Sequence, residues 1–356
     1  MRSSPIGIAV GVVFALAALA SSVRAKDYPE KPVRIVVAYA PGGVTDVLAR
    51  IIAPKLSEAL SGRFYVENLP GAGGDIGTAR AAAAPADGTT ILFATPDFLT
   101  SPALKAKAPY DPIASFAPVT LVATSPGVIS VHPSLGVSSL QELFALLKGN
   151  PGKYSYATPG YGTLPHLAAE RLLRVARGLD VIHVPFPGFG PAITSTIAGH
   201  TVILSGGGPS VIAPHVKAGT LRAFAVSGNR RSPELPDVPT KMEAGASDWD
   251  TGFWGGVLVP AGTPRNIIDV LHSHIVQIMM QPDIKDRLRT LDFESVCSPP
   301  DEFAAWLKTE YAKWGHVVGQ ANLRSNDRSH PRGPDDSNGS AEAGHNPPCT
   351  PRFAPS

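Results

Sequence analysis

Three stretches place glycine, proline and small hydroxylated residues just after an apolar run. They are Pro41-Gly42-Gly43-Val44-Thr45-Asp46 after Val33 to Tyr39, Pro70-Gly71-Ala72-Gly73-Gly74-Asp75 after Phe64 to Asn68, and Thr158-Pro159-Gly160-Tyr161-Gly162-Thr163 after Tyr154 to Ala157. Each reads as the handover from a buried strand to a helix. The first N–H groups of a helix have no intrahelical acceptor, and the helix dipole makes that end positive, so such turns suit an anion held by main chain. Thr45 is placed to cap the first helix, with Asp46 complementing its positive end.

Covalent chemistry finds no support in the chain. There is no Gly-x-Ser-x-Gly elbow, Cys-x-x-Cys, His-Glu-x-x-His or Walker loop. The ten histidines are scattered, and His272 and His274, two apart on a helical pattern, point to different faces. No metal, cofactor or enzymatic activity is therefore expected. His166 stands apart because it falls in the first turn after Gly162, where contact with a ligand and a hydrogen bond to the loop are both open. Tyr161 and Phe186 are candidates to shield a ligand, or to plug the packing. Gly71, Gly74 and Gly77 read as turn and packing glycines, and Gly42, Gly43, Gly160 and Gly162 as ligand contacts. The rival is an exported nucleotide-binding oxidoreductase domain, with Gly71-x-Gly73 as the phosphate turn and Asp97 as the ribose acid. Against it, the spacing Gly71-x-Gly73-x-x-x-Gly77 departs from the dinucleotide fingerprint and Pro85 ends the next helix early.

The elements that must position these loops alternate along the chain. Strands at Val33 to Tyr39, Phe64 to Glu67 and Thr90 to Thr95 are separated by helices Thr45 to Leu60 and Gly74 to Ala84, the pattern of a helix-covered parallel sheet. Val44, Val47, Leu48, Ile51 and Ile52 form one apolar helix face, with a kink expected at Pro54. A second alternating unit runs from about Gly127 to Phe224, and Leu221 to Val226 reads as a strand returning to the first unit. The predicted crossings near Leu121 to Ser125 and Val226 to Gly228 define a hinge beside a cleft.

Arg2, the apolar run Ile6 to Ala20 and the small residues Val23 and Ala25 predict a cleavable export leader over residues 1–25. No later stretch approaches the roughly 18 apolar residues of a membrane helix. A formal net charge of +2 with scattered Lys and Arg excludes a nucleic-acid stripe, so an anionic ligand must be attracted locally. From Arg324 to Ser356 there is no Val, Ile, Leu or Met, and this tail, residues 324–356, is expected to be disordered or aberrant. Cys297 and Cys349 differ too much in context to predict a required bridge.

In order along the chain come Tyr28-Pro29-Glu30-Lys31-Pro32-Val33, Pro41-Gly42-Gly43 with Asp46 and Arg50, Val66-Glu67-Asn68 with Pro70-Gly71-Ala72-Gly73-Gly74, and Asp111-Pro112 with Phe116 to Val119. His183-Val184-Pro185-Phe186, Leu235-Pro236-Asp237-Val238-Pro239-Thr240 and Pro260-Ala261-Gly262-Thr263-Pro264 follow. Together these motifs resemble the substrate-binding proteins of tripartite tricarboxylate transporters, the Bug-type periplasmic receptors, over Tyr28 to Leu323. The resemblance implies an α/β, two-lobed periplasmic binding protein of the type II, Venus-flytrap kind, each lobe a mainly parallel sheet flanked by helices, with two hinge crossings. Lobe 1 is then residues 26–123 plus 227–323, and lobe 2 is residues 124–226. It further implies a periplasmic monomer that binds a small carboxylate, whether dicarboxylate, tricarboxylate, amino acid or aromatic acid, and passes it to a tripartite-type permease or a sensor protein. Carried over, the ligand contacts are Pro41, Gly42, Gly43 and Asp46 in one lobe and Thr158, Gly160, Gly162, Thr163 and His166 in the other. Tyr161, Ala72, Gly73, Thr95, Pro185 and Phe186 line the cleft. Two departures bear on selectivity: Pro187 stands where the family has lysine before Gly188, and Gly199-His200-Thr201-Val202-Ile203 lacks the family's acid.

Overall fold

The computed structural model describes residues 28–324. The expected leader, Cys349 and all of the expected tail except Arg324 lie outside these residues. In chain order the first elements are β1 (Val33–Val37), α1 (Val44–Ala59), β2 (Phe64–Asn68), α2 (Asp75–Ala82), β3 (Thr90–Ala94), α3 (Asp97–Leu104) and β4 (Phe116–Pro126). Then come β5 (Val128–Val131), α4 (Leu140–Lys148), β6 (Ser155–Thr158), α5 (Leu164–Glu170), β7 (Ile182–Pro185), α6 (Phe189–Ile197), β8 (Ile203–Ser205), α7 (Pro209–Lys217) and β9 (Arg222–Val226). The chain closes with β10 (Gly252–Pro260), α8 (Arg265–Met279), α9 (Pro282–Arg289), β11 (Glu294–Ser295) and α10 (Pro300–Gln320). Pro54 sits within α1 without dividing it.

Two sheets carry the two lobes. The first has the order β11-β4-β10-β3-β1-β2 and the second β7-β6-β8-β5-β9. Parallel pairing aligns Val37 with Asn68 and Phe93, so the chain leaves β1, β2 and β3 at one edge. In the second sheet β6, β7 and β8 are likewise parallel and discharge together, while β5 runs against them and β9, antiparallel to β5, runs with them. A strand buried on both faces alternates its neighbours. Val33, Ile35 and Val37 face Leu48, Ile52 and Leu56 of α1 with Leu271 and Ile275 of α8, whereas Val36 faces Leu92, Phe98 and Phe303.

Three sequence expectations change. The first sheet is mixed, because β10 inserts antiparallel between β3 and β4. The segment Leu221 to Val226 does not return to the first sheet: β9 is the edge strand of the second, paired with β5. Strand β4 is longer than the predicted crossing, since Pro118 and Pro126 mask an 11-residue strand from a reading by propensity.

The crossings themselves are tightly built. The Gly127 N–H donates to Ser227 Oγ at 2.9 Å, and that hydroxyl donates to the Thr251 carbonyl at 2.5 Å. A Cβ on Gly127 would lie 2.2 Å from Thr251 O, so only glycine permits this close passage of the two strands. The final helix makes a third connection. Over 21 residues, about 31 Å, α10 buries Phe303 and Leu307 in the first lobe and Trp314, Val317 and Val318 among Leu167, Leu172 and Trp249 of the second. Ala244, Ala246 and Trp249 also join that second core, so residues 227–323 do not pack wholly with lobe 1 as the sequence suggested. Replacing Trp314, 2% exposed, with alanine is expected to cost about 3–5 kcal/mol in chemical unfolding. A loss below about 1 kcal/mol would show that the second lobe stands without the helix.

Candidate functional site

The glycine loops follow the ends of β1, β2 and β6, at the discharge edges of the two sheets. In the first lobe α1 begins at Val44 with Gly43 as its N-cap (φ −75°, ψ 167°) and no side-chain cap. Thr45 therefore lies inside the first turn, buried, rather than capping it. The leading amides of α1 keep their dipole-enhanced donor capacity.

Asp46, expected as a ligand contact, sits beneath this loop and is 3% exposed. Its Oδ2 accepts from the Gly42 N–H and from Arg50 Nε, both at 2.9 Å, and its Oδ1 accepts from Asn68 Nδ2 at 2.9 Å. Asn68 Nδ2 also donates to the Tyr39 carbonyl at 3.0 Å, so the end of β2 and the α1 loop are stitched through one acid. The Arg50 guanidinium, helped by the Gly42 and Asn68 donors, holds the Asp46 carboxyl down at about 2. Its role here is to position main chain.

The second loop of this lobe winds through positive φ at Ala72 (51°), Gly73 (69°) and Gly74 (98°) before α2. Thr95 is 3% exposed and pairs with the Tyr39 hydroxyl at 2.8 Å; that hydroxyl also donates to Asp97 Oδ2 at 3.0 Å. Gly73, Gly74, Thr95 and Asp97 bound a small cavity there.

In the second lobe the loop from Thr158 to Thr163 is held by its own side chains. Thr163 Oγ1 donates to the Gly160 carbonyl at 2.8 Å, and the Gly162 N–H donates to His166 Nδ1 at 3.0 Å. His166 is 1% exposed, so of its two open roles the structure shows the hydrogen bond to the loop. With Nδ1 accepting, its proton sits on Nε2, 4.0 Å from Glu170 Oε1, which also accepts from the Tyr156 hydroxyl at 2.5 Å. His166 stacks on His183 with centroids 3.9 Å apart and 13° between planes, and His183 stacks in turn on Tyr156 at 4.8 Å. His183 Nε2 lies 2.7 Å from Thr158 Oγ1. Tyr161 is 48% exposed, with its hydroxyl donating to the Leu323 carbonyl at 2.9 Å. Pro185 ends β7, and the Phe186 N–H donates to the Thr158 carbonyl, bringing both beside the same loop.

The lobes meet at Gly162. A Cβ there would lie 2.5 Å from Leu104 Cδ1, at the end of α3 in the first lobe, and its φ is +77°. Sequence reading named neither Leu104 nor His183 as a site residue; His183 sat in a quoted motif, whereas Leu104 has no local signal. A surface groove of about 310 Å³ lies between Tyr28, Asp87 and Ile267 at the opposite edge of the first sheet and includes none of the glycine-loop residues. Among the described residues no His, Cys, Asp and Glu group is arranged to hold a metal ion.

Burial lowers His166 to about 3, with His183 and Arg174 adding to the effect, and burial lowers His183 to about 4. Both rings are thus neutral in the fold near neutral pH and protonate more readily when unfolded, where 6.5 is the ordinary value. The unfolded chain then binds more protons between about pH 4 and 6.5, so stability rises with pH across that window and is lost on acidification. The expected slope is at most about 1.4 kcal/mol per pH unit per ring, flattening above pH 6.5. Urea titrations from pH 4 to 8 check this: a slope unchanged in His166→Asn/His183→Asn would show that neither ring is held neutral.

Residues 48–323 match the sequence profile of the tripartite tricarboxylate transporter family receptors. The chain is 31% identical to the protein BugT of Bordetella pertussis over 317 residues, 88% of this chain and 97% of that one. It superposes on the periplasmic binding protein BugD with a TM-score of 0.68 at 31% identity, covering 83% of this chain and 99% of BugD. The Rhodopseudomonas-type neighbour, R. palustris Rpa4515 with adipate, gives 0.70 at 31% identity, with 83% and 99% covered. These are periplasmic solute-binding receptors rather than enzymes, and the chain described above belongs to that family, the receptors of tripartite tricarboxylate transporters.

Proposed function

We propose that this protein captures a small carboxylate between its lobes and delivers it to a tripartite-type membrane permease. One observation carries the reading: the start of α1 at Gly43 has no side-chain cap, while the comparable Gly160–Thr163 loop of the other lobe meets the first lobe where Gly162 abuts Leu104. A carboxylate there receives main-chain donors from both lobes without any dedicated arginine, and ordered water completes its shell. R. palustris Rpa4515 binds adipate and MatC of the same organism binds malate, which supports a carboxylate as the ligand class. The proposed contacts are Pro41, Gly42 and Gly43 on the first wall, Gly160, Gly162 and Thr163 on the second, with Ala72, Gly73, Tyr161 and Phe186 around them. Asp46, Thr158 and His166 serve from below by fixing those main-chain groups.

Closure follows from differential contact. A ligand bound to one lobe gains the second set of donors only when the lobes approach, so it shifts the population by that gain alone. The lobes proposed to move are residues 28–126 with 252 to about 312, and residues 127–251 with the end of α10. Export by a cleavable leader completes the reading, because the permease meets its receptor outside the cytoplasmic membrane.

Gly43→Val provides the test. Gly43 has extended φ, and a Cβ there meets only the Ala40 carbonyl at 3.9 Å, so the fold accepts the side chain while the cleft receives it. Isothermal titration with a panel of mono-, di- and tricarboxylates is expected to find a binder whose affinity falls by ~10-fold or more in the variant. Unchanged affinity would remove the α1 loop from the site. Gly162→Val is a poorer probe, since positive φ and the Leu104 contact make it a folding variant as well.

A further inference from the structure

The stretches around the cleft, residues 38–46, 69–75, 95–97, 158–163, 185–189 and 205–210, contain no lysine or arginine. Three cations stand nearby, and each is committed to an acid: Arg50 to Asp46, Lys105 to Asp75 and Arg174 to Glu170. His166 and His183 add no positive charge near neutral pH, because burial keeps both neutral. Two carboxylates then remain without a cationic partner among the described residues.

The first is Asp97, at the start of α3. One of its oxygens takes the Tyr39 hydroxyl, and the residue bounds the cavity beside Gly73 and Gly74. Burial raises its carboxyl to about 6, with nearby Asp75 adding to the rise, so this wall already resists negative charge.

The second is Asp292, in the turn between α9 and β11 of the first lobe. Its Oδ2 reaches across to the second lobe and accepts from the Ser210 N–H at 2.6 Å, at the uncapped start of α7. A helix start that opens on the cleft edge is thereby filled by the protein's own carboxylate. Asp292 adopts φ +60° to do so. Large apolar side chains stand exposed near the helix starts: Val44 (46%), Ile76 (57%), Tyr161 (48%) and Val211 (48%).

We infer that the cleft takes an acid with a single carboxylate and a hydrocarbon body, and that Asp97 and Asp292 determine specificity by rejecting ligands with a second or third carboxylate. This rests on the carboxylate-receptor reading above and narrows it. Main-chain dipoles from two facing loops offset about one negative charge. Each further charge meets uncompensated acids and apolar surface, at a cost that falls with distance and effective dielectric.

The test is titration of the protein at pH 7.5 and fixed ionic strength with hexanoate, adipate and citrate. They carry one, two and three carboxylates on six-carbon acids. Affinity is expected to fall by roughly fivefold to tenfold per added carboxylate. Asp97→Asn and Asp292→Asn each reduce the hexanoate-to-citrate ratio while leaving hexanoate within about twofold, asparagine being tolerated at the positive φ of residue 292. Adipate or citrate binding as tightly as hexanoate to the unmodified protein overturns the inference, as does a ratio unchanged in both variants. In either case carboxylate capture itself stands. Silence from all three acids, and from the wider panel used with Gly43→Val, removes the receptor reading and the inference with it.

Discussion

The carboxylate of Asp46 is the contact on which the first wall of the cleft depends. A buried acid beneath a loop proposed to hold an anion is costly unless its charge is cancelled, and Arg50 cancels it within one helical turn, at 2.9 Å. What remains is geometry: three hydrogen bonds fix the Gly42 amide, the end of β2 and the start of α1 relative to one another. The loop can then leave its outward donors unspent, because the inward ones have a fixed acceptor.

The second wall reaches the same end without charge. Thr158, Thr163 and His166 take up the inward-facing groups of the Gly160–Thr163 loop, and His183 with Tyr156 clamps the imidazole from one face. Neutral, stacked rings suit a site whose ligand supplies the charge. A protonated His166 could no longer accept from Gly162 at Nδ1, so the burial that keeps the ring neutral also preserves the hydrogen bond that shapes the loop. Leu104 and Gly162 carry this precision across the lobes, and α10, seated in both cores, confines opening to motions that bend or slide a single helix.

Much of this was legible in the residues, and the rest was not for identifiable reasons. The handovers at Pro41-Gly42-Gly43 and Gly160-Tyr161-Gly162 follow from glycine and proline punctuating apolar runs, and the two-lobed receptor fold follows from the order of the motifs. Position within the site was harder. Asp46 was visible as an acid in a first turn, but its burial depends on Asn68, 22 residues away, and on the register of β1 with β2. Strand β10 enters the first sheet between β3 and β4, a pairing over more than 120 residues that no local pattern encodes. Phe303, Leu307, Trp314, Val317 and Val318 keep a helical spacing throughout, a regularity that conceals that the two halves of α10 serve different cores.

Pro187 ties these threads together. It stands just before the Gly188 N-cap of α6 and brings no N–H of its own, and the Gly188 N–H is already shared between the Pro159 and Phe186 carbonyls at 3.1 and 2.9 Å. The middle helix start of the second lobe is therefore poor in donors and the third is filled by Asp292, while in the Gly160–Thr163 loop the Gly160 and Gly162 N–H groups are spent on Thr158 and His166. Losing a cation at this position, where the resemblance implied a lysine, has the same sense as the acids left unpaired at 97 and 292. On the inference above, all three lower the negative charge that the cleft can offset.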